Sequence, residues 1–248
     1  MSNDNIKNRW FVVIGAILIQ LCLGAIYAWS VFTPSLVAAD WTKAQTQAVF
    51  AAGLALFAIV MVIAGRLLPK WGPRKLAISG GIVLGLGYLL AGLFGGTNFW
   101  SIFFFIGIIG GSGIGLAYVV PIAVGMRWFP DKKGLITGLA VAGFGFGALL
   151  WVKLAGAWGN LIANLGLNTT FTIYGIVFFA TVVIGGIWMV FPPEGWKPEG
   201  WTPPEDVKDS KVAKVANLGS SEMLRTPQYY MILLTFAFGA SAGLMSIG

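Results

Sequence analysis

Residues 47–95 read QAVFAAGLALFAIVMVIAGRLLPKWGPRKLAISGGIVLGLGYLLAGLFG. Two apolar runs, 47–68 and 76–95, flank a short stretch that carries Lys70, Arg74 and Lys75, with Arg66 just inside the first run. A helix that crosses a bilayer needs about 20 mainly apolar residues, and each run supplies them. Membrane β-strands would be about ten residues long and apolar on alternate positions only. These runs are apolar on every side, so the stretch is predicted to be a helical hairpin through a membrane, its cations gathered at one end.

The same reading extends outward to five more spans, 10–32, 100–126, 135–158, 170–191 and 228–248. The composition agrees. Of 248 residues 57% are hydrophobic and 10% charged, where a soluble domain carries about a quarter charged residues. That excludes a water-soluble globular enzyme, a disordered chain and a disulfide scaffold. One cysteine, Cys22, allows no disulfide within the chain, and the absence of histidine removes the commonest general base and metal ligand. No catalytic residues, metal site or cofactor are expected. The chain reads as a multi-pass integral membrane protein whose first partner is the lipid bilayer.

The net charge of +7 would suggest nucleic acid in a soluble protein; here its placement makes it a topology signal and no nucleic acid is expected. Fourteen of the 16 Lys and Arg lie before the first span, in the loops after spans two, four and six or, for Arg66, in the last residues of a span beside such a loop. The opposite loops hold only Lys43, and Lys153 lies within a span. The positive-inside rule therefore places the N-terminus and these loops in the cytoplasm, in an inner (plasma) membrane of bacterial type. The loop 192–225 is rich in proline and charge. It divides the chain into a six-helix bundle over 1–191, a cytoplasmic linker over 192–225 and the first helix of a second bundle over 226–248. The last span ends without a polar flank, and a helix ending there lacks caps and tertiary partners. The expectation is an all-α membrane protein truncated from twelve helices, with a C-terminal six-helix half missing.

Glycines recur four apart at Gly107, Gly111 and Gly115, at Gly143 and Gly147 and at Gly81 and Gly85. That spacing lets helix backbones approach closely in lipid; a second use is a face that slides during transport. No nucleotide-binding glycine loop is present, so ATP-driven pumping has no machinery here. Among polar residues, Tyr27 shares a face of the first span with Gln20 and Gly24, and Tyr118 shares one of the fourth with Gly111 and Gly115. Each phenol either lines a cavity, donating to an anionic ligand, or hydrogen-bonds between helices. Gln47 opens the second span, where a role at the helix terminus competes with a ligand role. Lys153 is the one charge well inside a span, which marks a functional candidate. Its place near the outer end of the fifth helix favours snorkelling to the interface, and it is half a turn of helix away from Phe144, nine residues earlier. All nine acidic residues fall in tails or loops. The spans thus offer no carboxylate for a cation or a proton relay, a pattern that suits anions.

Residues 65–75, GRLLPKWGPRK, resemble the loop signature of the major facilitator superfamily. Gly65, Leu67, Lys70, Gly72 and Arg74 match in kind, and Pro69 replaces the usual aspartate. The resemblance implies a major facilitator fold and a cytoplasmic gate built from these charges and helix ends, with the aspartate's salt bridge lost. Residues 8–11 (NRWF), 24–32 (GAIYAWSVF) and 127–134 (RWFPDKKG), with the ending 242–248, are similar to the oxalate/formate antiporter family and its neighbours, the monocarboxylate transporters. By position the resemblance makes Tyr27, Gln47, Tyr118 and Phe144 substrate-binding residues. Phe144 stands where a tyrosine can occur and Ile26 where a glutamine can, both of which favour a monocarboxylate over a dicarboxylate.

The expected function is secondary transport of a small carboxylate anion, such as lactate or formate, or oxalate/formate exchange, by alternating access between two six-helix bundles. A major facilitator carrier of another class, for sugars or drugs, is the alternative within transport. A receptor-like seven-helix protein is the alternative outside it, but its N-terminus would normally lie outside.

Overall fold

A computed structural model describes residues 8–202 and 220–247; the charged linker residues within 203–219, Lys7 and the closing Gly248 lie outside the described residues. Among the described residues six helices are long and apolar enough to cross a membrane: α1 (Trp10–Val37), α2 (Lys43–Trp71), α3 (Pro73–Gly95), α4 (Phe99–Trp128), α5 (Lys133–Ala155) and α6 (Leu161–Ile187). A seventh helix, α7 (Pro227–Ile247), coincides with the seventh expected span. The described residues form two compact units, one ending at Glu199 and one beginning at Gly200. The first holds α1 to α6.

Local chemistry sets the helix ends. Thr42 and Gln45 cap α2 reciprocally: the Thr42 hydroxyl accepts the Gln45 amide at 3.2 Å and the Gln45 side chain accepts the Thr42 amide at 2.8 Å. This satisfies two donors that a helix start leaves free. Asn98 caps α4 in one direction only, its side chain accepting the Ser101 amide at 3.1 Å. Between α2 and α3 there is a single residue, Gly72, at φ 79°. Only glycine adopts that conformation without strain, and Pro73, with no amide hydrogen to satisfy, begins the next helix. The sixth helix departs from the expected 170–191. It starts at Leu161, is interrupted at Gly166 (φ 77°) and ends at Ile187, where the chain turns so that the Trp128 indole donates to the Val190 carbonyl at 2.6 Å.

The helices run up and down, and contacts between turns show which ends coincide. At one end Arg9 forms a paired hydrogen bond to Asp131, at 2.9 and 3.2 Å, and stacks over Phe129 at 4.4 Å. Phe11 stacks on Trp188. Burial pushes the Asp131 carboxyl up, but hydrogen bonds from Arg9 and the backbone and the charges of Arg9 and Lys132 outweigh it and hold the group below its usual range. At the other end the Trp41 indole, before α2, donates to the Thr97 carbonyl before α4 at 2.7 Å. The basic turns at Gly72 and after Trp128 thus share the end that holds the start of α1.

Helix α1 is the most buried of the six and α2 the least. It packs on α4, α5 and α6; α3 packs on α4 and α6; and α2 packs on α4. Glycines make these contacts. Cβ atoms added at Gly107, Gly111 and Gly115 of α4 would meet the carbonyls of Val49, Gly53 and Phe57, each four residues further along α2. Gly81 and Gly85 of α3 lie against Val182 and Phe179 of α6, and Gly143 and Gly147 of α5 against α1. The glycine rows therefore serve close packing, which in lipid replaces the hydrophobic effect as the force between helices.

Three segments among the described residues depart from regular α-helix. Residues Gly24–Phe32 of α1 are wound as 3₁₀-helix, and Ala91–Gly95 of α3 and Phe103–Gly110 of α4 as π-helix. Nine residues is long for a 3₁₀ segment. Tightening from i→i−4 to i→i−3 bonding leaves one carbonyl over at the junction, and the Leu21 carbonyl there accepts the Trp151 indole at 2.7 Å.

Candidate functional site

The 3₁₀ segment carries Tyr27, α4 carries Tyr118 and α5 carries Phe144. The fold brings these three together. The Phe144 ring lies edge-on to Tyr27, 5.5 Å between centroids, and to Tyr118, 5.1 Å. The approach depends on Gly24, where a Cβ would run into the Phe144 carbonyl. Two rings of α2 complete the group. Phe57 is 5.0 Å from Tyr118 and 6.2 Å from Phe144, and Phe50 is 6.3 Å from Tyr27.

Five aromatic rings from four helices thus form one wall near the middle of the bundle. Phe144 is buried, while Tyr27 and Tyr118 are half-buried. Neither phenol hydroxyl has a hydrogen-bond partner among the described residues, so both donors remain free for a ligand. The positive edges of the rings add a weaker attraction for negative charge.

Gln47 is exposed at the start of the second turn of α2, about one turn before Phe50. Ile26 is buried and lines, with Trp29, Val49, Phe50, Gly53 and Tyr88, a partly open cavity of about 20 Å³ that meets the wall at Phe50, room for about one water. Lys153 is half-buried in the last turn of α5. The helix is continuous between Phe144 and Lys153, so the nine-residue offset puts them half a turn apart. A cation in a last turn also complements the helix dipole. Of the loop signature, Gly65, Lys70 and Arg74 are exposed, Leu67 is half-buried and Gly72 is the turn residue. Pro69 lies within the last turn of α2.

Phe50 and Phe57 did not stand out in the sequence. A phenylalanine in an apolar helix carries no polar signal, and their seven-residue spacing on one face of α2 was the only clue available. Among the described residues no carboxylate lies in α1 to α6; Asp40, Asp131, Glu194, Glu199 and Glu222 are all elsewhere. No group of His, Cys, Asp or Glu capable of holding a metal occurs among the described residues. The site can offer stacking surface and neutral donors, with no group able to act as a base.

The profile of the Major Facilitator Superfamily matches residues 4–248. The chain is 30% identical over 244 residues to an uncharacterized MFS-type transporter, YhjX, of Escherichia coli K12, covering 98% of this chain and 57% of the relative. It is 24% identical over 254 residues to the oxalate:formate antiporter of Oxalobacter formigenes, covering 99% and 56%. To apicoplast pyruvate carrier 1 of Toxoplasma gondii it is 27% identical over 198 residues, covering 62% and 36%. The chain spans about half the length of the first two.

Proposed function

The chain belongs to the major facilitator superfamily, and from that premise we propose that it forms the N-terminal half of a secondary transporter of small carboxylate anions. The observation that carries the reading is the aromatic wall: Tyr27 and Tyr118 present unpartnered hydroxyls beside Phe144, in spans free of carboxylates among the described residues. Two relatives are named for carboxylates, an oxalate:formate antiporter and a pyruvate carrier. Phe144 in the wall, and Ile26 in the cavity beside Phe50, make the site less polar than two hydrogen-bonding side chains would, which suits a monocarboxylate such as lactate or formate.

In this reading residues 1–191 are the first bundle, 192–225 a cytoplasmic linker and 226–248 the start of a second bundle that closes the cavity and carries the counter-charge. The basic end of the first bundle, with the N-terminus, faces the cytoplasm, and a bacterial inner membrane is its setting. Transport proceeds by alternating access between the two bundles. Substrate meets Tyr27 and Tyr118, with Gln47 at the edge of the site. The cations of 65–75 belong to the gate. Lys153 snorkels and does not hold the anion.

The test is equilibrium binding of labelled carboxylates to the chain completed with the remaining five helices of the second bundle. Tyr27→Phe or Tyr118→Phe keeps the ring and removes one donor. A hydrogen bond to a charged group is worth about 1.5–3 kcal/mol, so affinity should fall roughly tenfold or more. Lys153→Gln should leave affinity nearly unchanged. Loss of binding in Lys153→Gln with both tyrosine variants silent would move the site to the other side of α5.

A further inference from the structure

At the basic end of the first unit, the α2–α3 turn borders an open surface cleft of about 500 Å³ lined by Lys70, Trp71, Arg74, Lys75, Ile78 and Ser79. Lys70, Arg74 and Lys75 are exposed, and none has an ion-pair or hydrogen-bond partner among the described residues. Pro69 occupies a position from which no side chain can neutralise them. Arg74 and Lys75 also sit in the first turn of α3, which holds no acidic residue, so they face the positive end of the helix dipole. Three exposed cations thus line one cleft without an anion from the described residues.

Apolar rows lead from the cleft along both helices. On α2, Ile59 and Ile63 lie on the face of Lys70; on α3, Ile82 and Leu86 continue from Ile78 at four-residue steps. All four of these neighbours are exposed, Ile59 at 57% and Leu86 at 43%. Trp71, half exposed beside the cations, has the amphipathic ring that settles at a membrane–water boundary. Charge at one end with a continuous exposed apolar strip behind it fits an amphiphile; a free inorganic anion would use the charge alone. We propose that this cleft binds the headgroup of an anionic phospholipid, whose phosphate sits among Lys70, Arg74 and Lys75 and whose acyl chains lie along Ile78, Ile82 and Leu86. Basic pockets between helices at a membrane surface take such headgroups by the same chemistry.

The experiment is native mass spectrometry of the 248-residue chain in detergent, offered equal amounts of phosphatidylglycerol and phosphatidylcholine. The wild type should retain phosphatidylglycerol several-fold over phosphatidylcholine. The triple variant Lys70→Gln, Arg74→Gln, Lys75→Gln should lose that preference, while Lys132→Gln, Lys133→Gln, Lys197→Gln, with equal charge loss, should keep it. Preference retained in the first variant, or lost equally in the second, overturns the proposal. So does a wild type without preference that acquires one on Glu205→Gln, Asp206→Asn, Asp209→Asn, because the linker would then be the occupant. A second measurement changes no charge. Phosphatidylglycerol brominated on its acyl chains should quench the tryptophan emission that disappears in Trp71→Phe, and phosphatidylcholine brominated likewise should quench it less. Equal quenching by both lipids overturns the site even if the charge variants fail to fold.

Discussion

Gln20 lies fully buried on α1, and neither atom of its amide has a hydrogen-bond partner among the described groups. A buried polar group left unpaired costs about 1–3 kcal/mol, whereas an apolar side chain of similar shape in its place is neutral or stabilising. Gln20→Leu should therefore raise the thermal stability of the purified chain in detergent, by about 1 kcal/mol or more. A clear fall in melting temperature would show that the amide has a partner, such as a bound water. Gln20 also shows how far a residue can be read from sequence. It shares a helical face with Tyr27, yet the tyrosine reaches the aromatic wall and the glutamine is sealed beside Gly143. The face was legible; what covers it depends on where α5 crosses.

Among elements, the contact of α2 with α4 shows glycine spacing turned into packing. A Cβ at Gly111 would lie 2.5 Å from the Gly53 carbonyl oxygen and 2.8 Å from its Cα. Both are backbone atoms and cannot swing aside. Gly111→Ala should destabilise the bundle by about 1–3 kcal/mol, the usual cost of overpacking. Gly145, mid-way along α5, has nothing within 4 Å of an added Cβ. Gly145→Ala should be neutral or stabilise by up to about 1 kcal/mol, since alanine is the better helix former. Comparing the two variants by thermal unfolding separates contact from propensity. If Gly111→Ala melts like wild type, the helices are further apart than described. The four-residue repeat announced a packing row, but the identity of its partner, the carbonyls of Val49, Gly53 and Phe57, was set by the crossing of α4 on α2.

For the whole molecule, the clasp between Arg9 and Asp131 and the stacking of Phe11 on Trp188 gather the start of α1, the α4–α5 turn and the end of α6 at one end. That end also carries the basic turn at Gly72, and the orientation proposed for it can be tested directly. Cys22 is buried, so it should not react, and Glu194→Cys would supply the one accessible thiol. An impermeant maleimide should fail to label Glu194→Cys from outside intact cells and label it after permeabilisation. Efficient labelling of intact cells would invert the topology and move the basic turns to the outer surface.

Span number, helical class and the gathering of basic residues follow from the sequence alone. Each depends on the length of an apolar run or on the placing of charge, and the bilayer enforces both whatever the neighbours do: a run of about 20 apolar residues must satisfy its backbone internally. The interruption at Gly166, the 3₁₀ winding around Tyr27 and the inclusion of Phe50 and Phe57 in the aromatic wall were decided only by the tertiary structure. Apolar helices have little amphipathic asymmetry to set their rotation, so which face turns inward depends on how closely glycine rows let one backbone approach the next. Gly24 against the carbonyl of Phe144 is the contact that brings two of the rings together, and no local pattern in either helix specifies it.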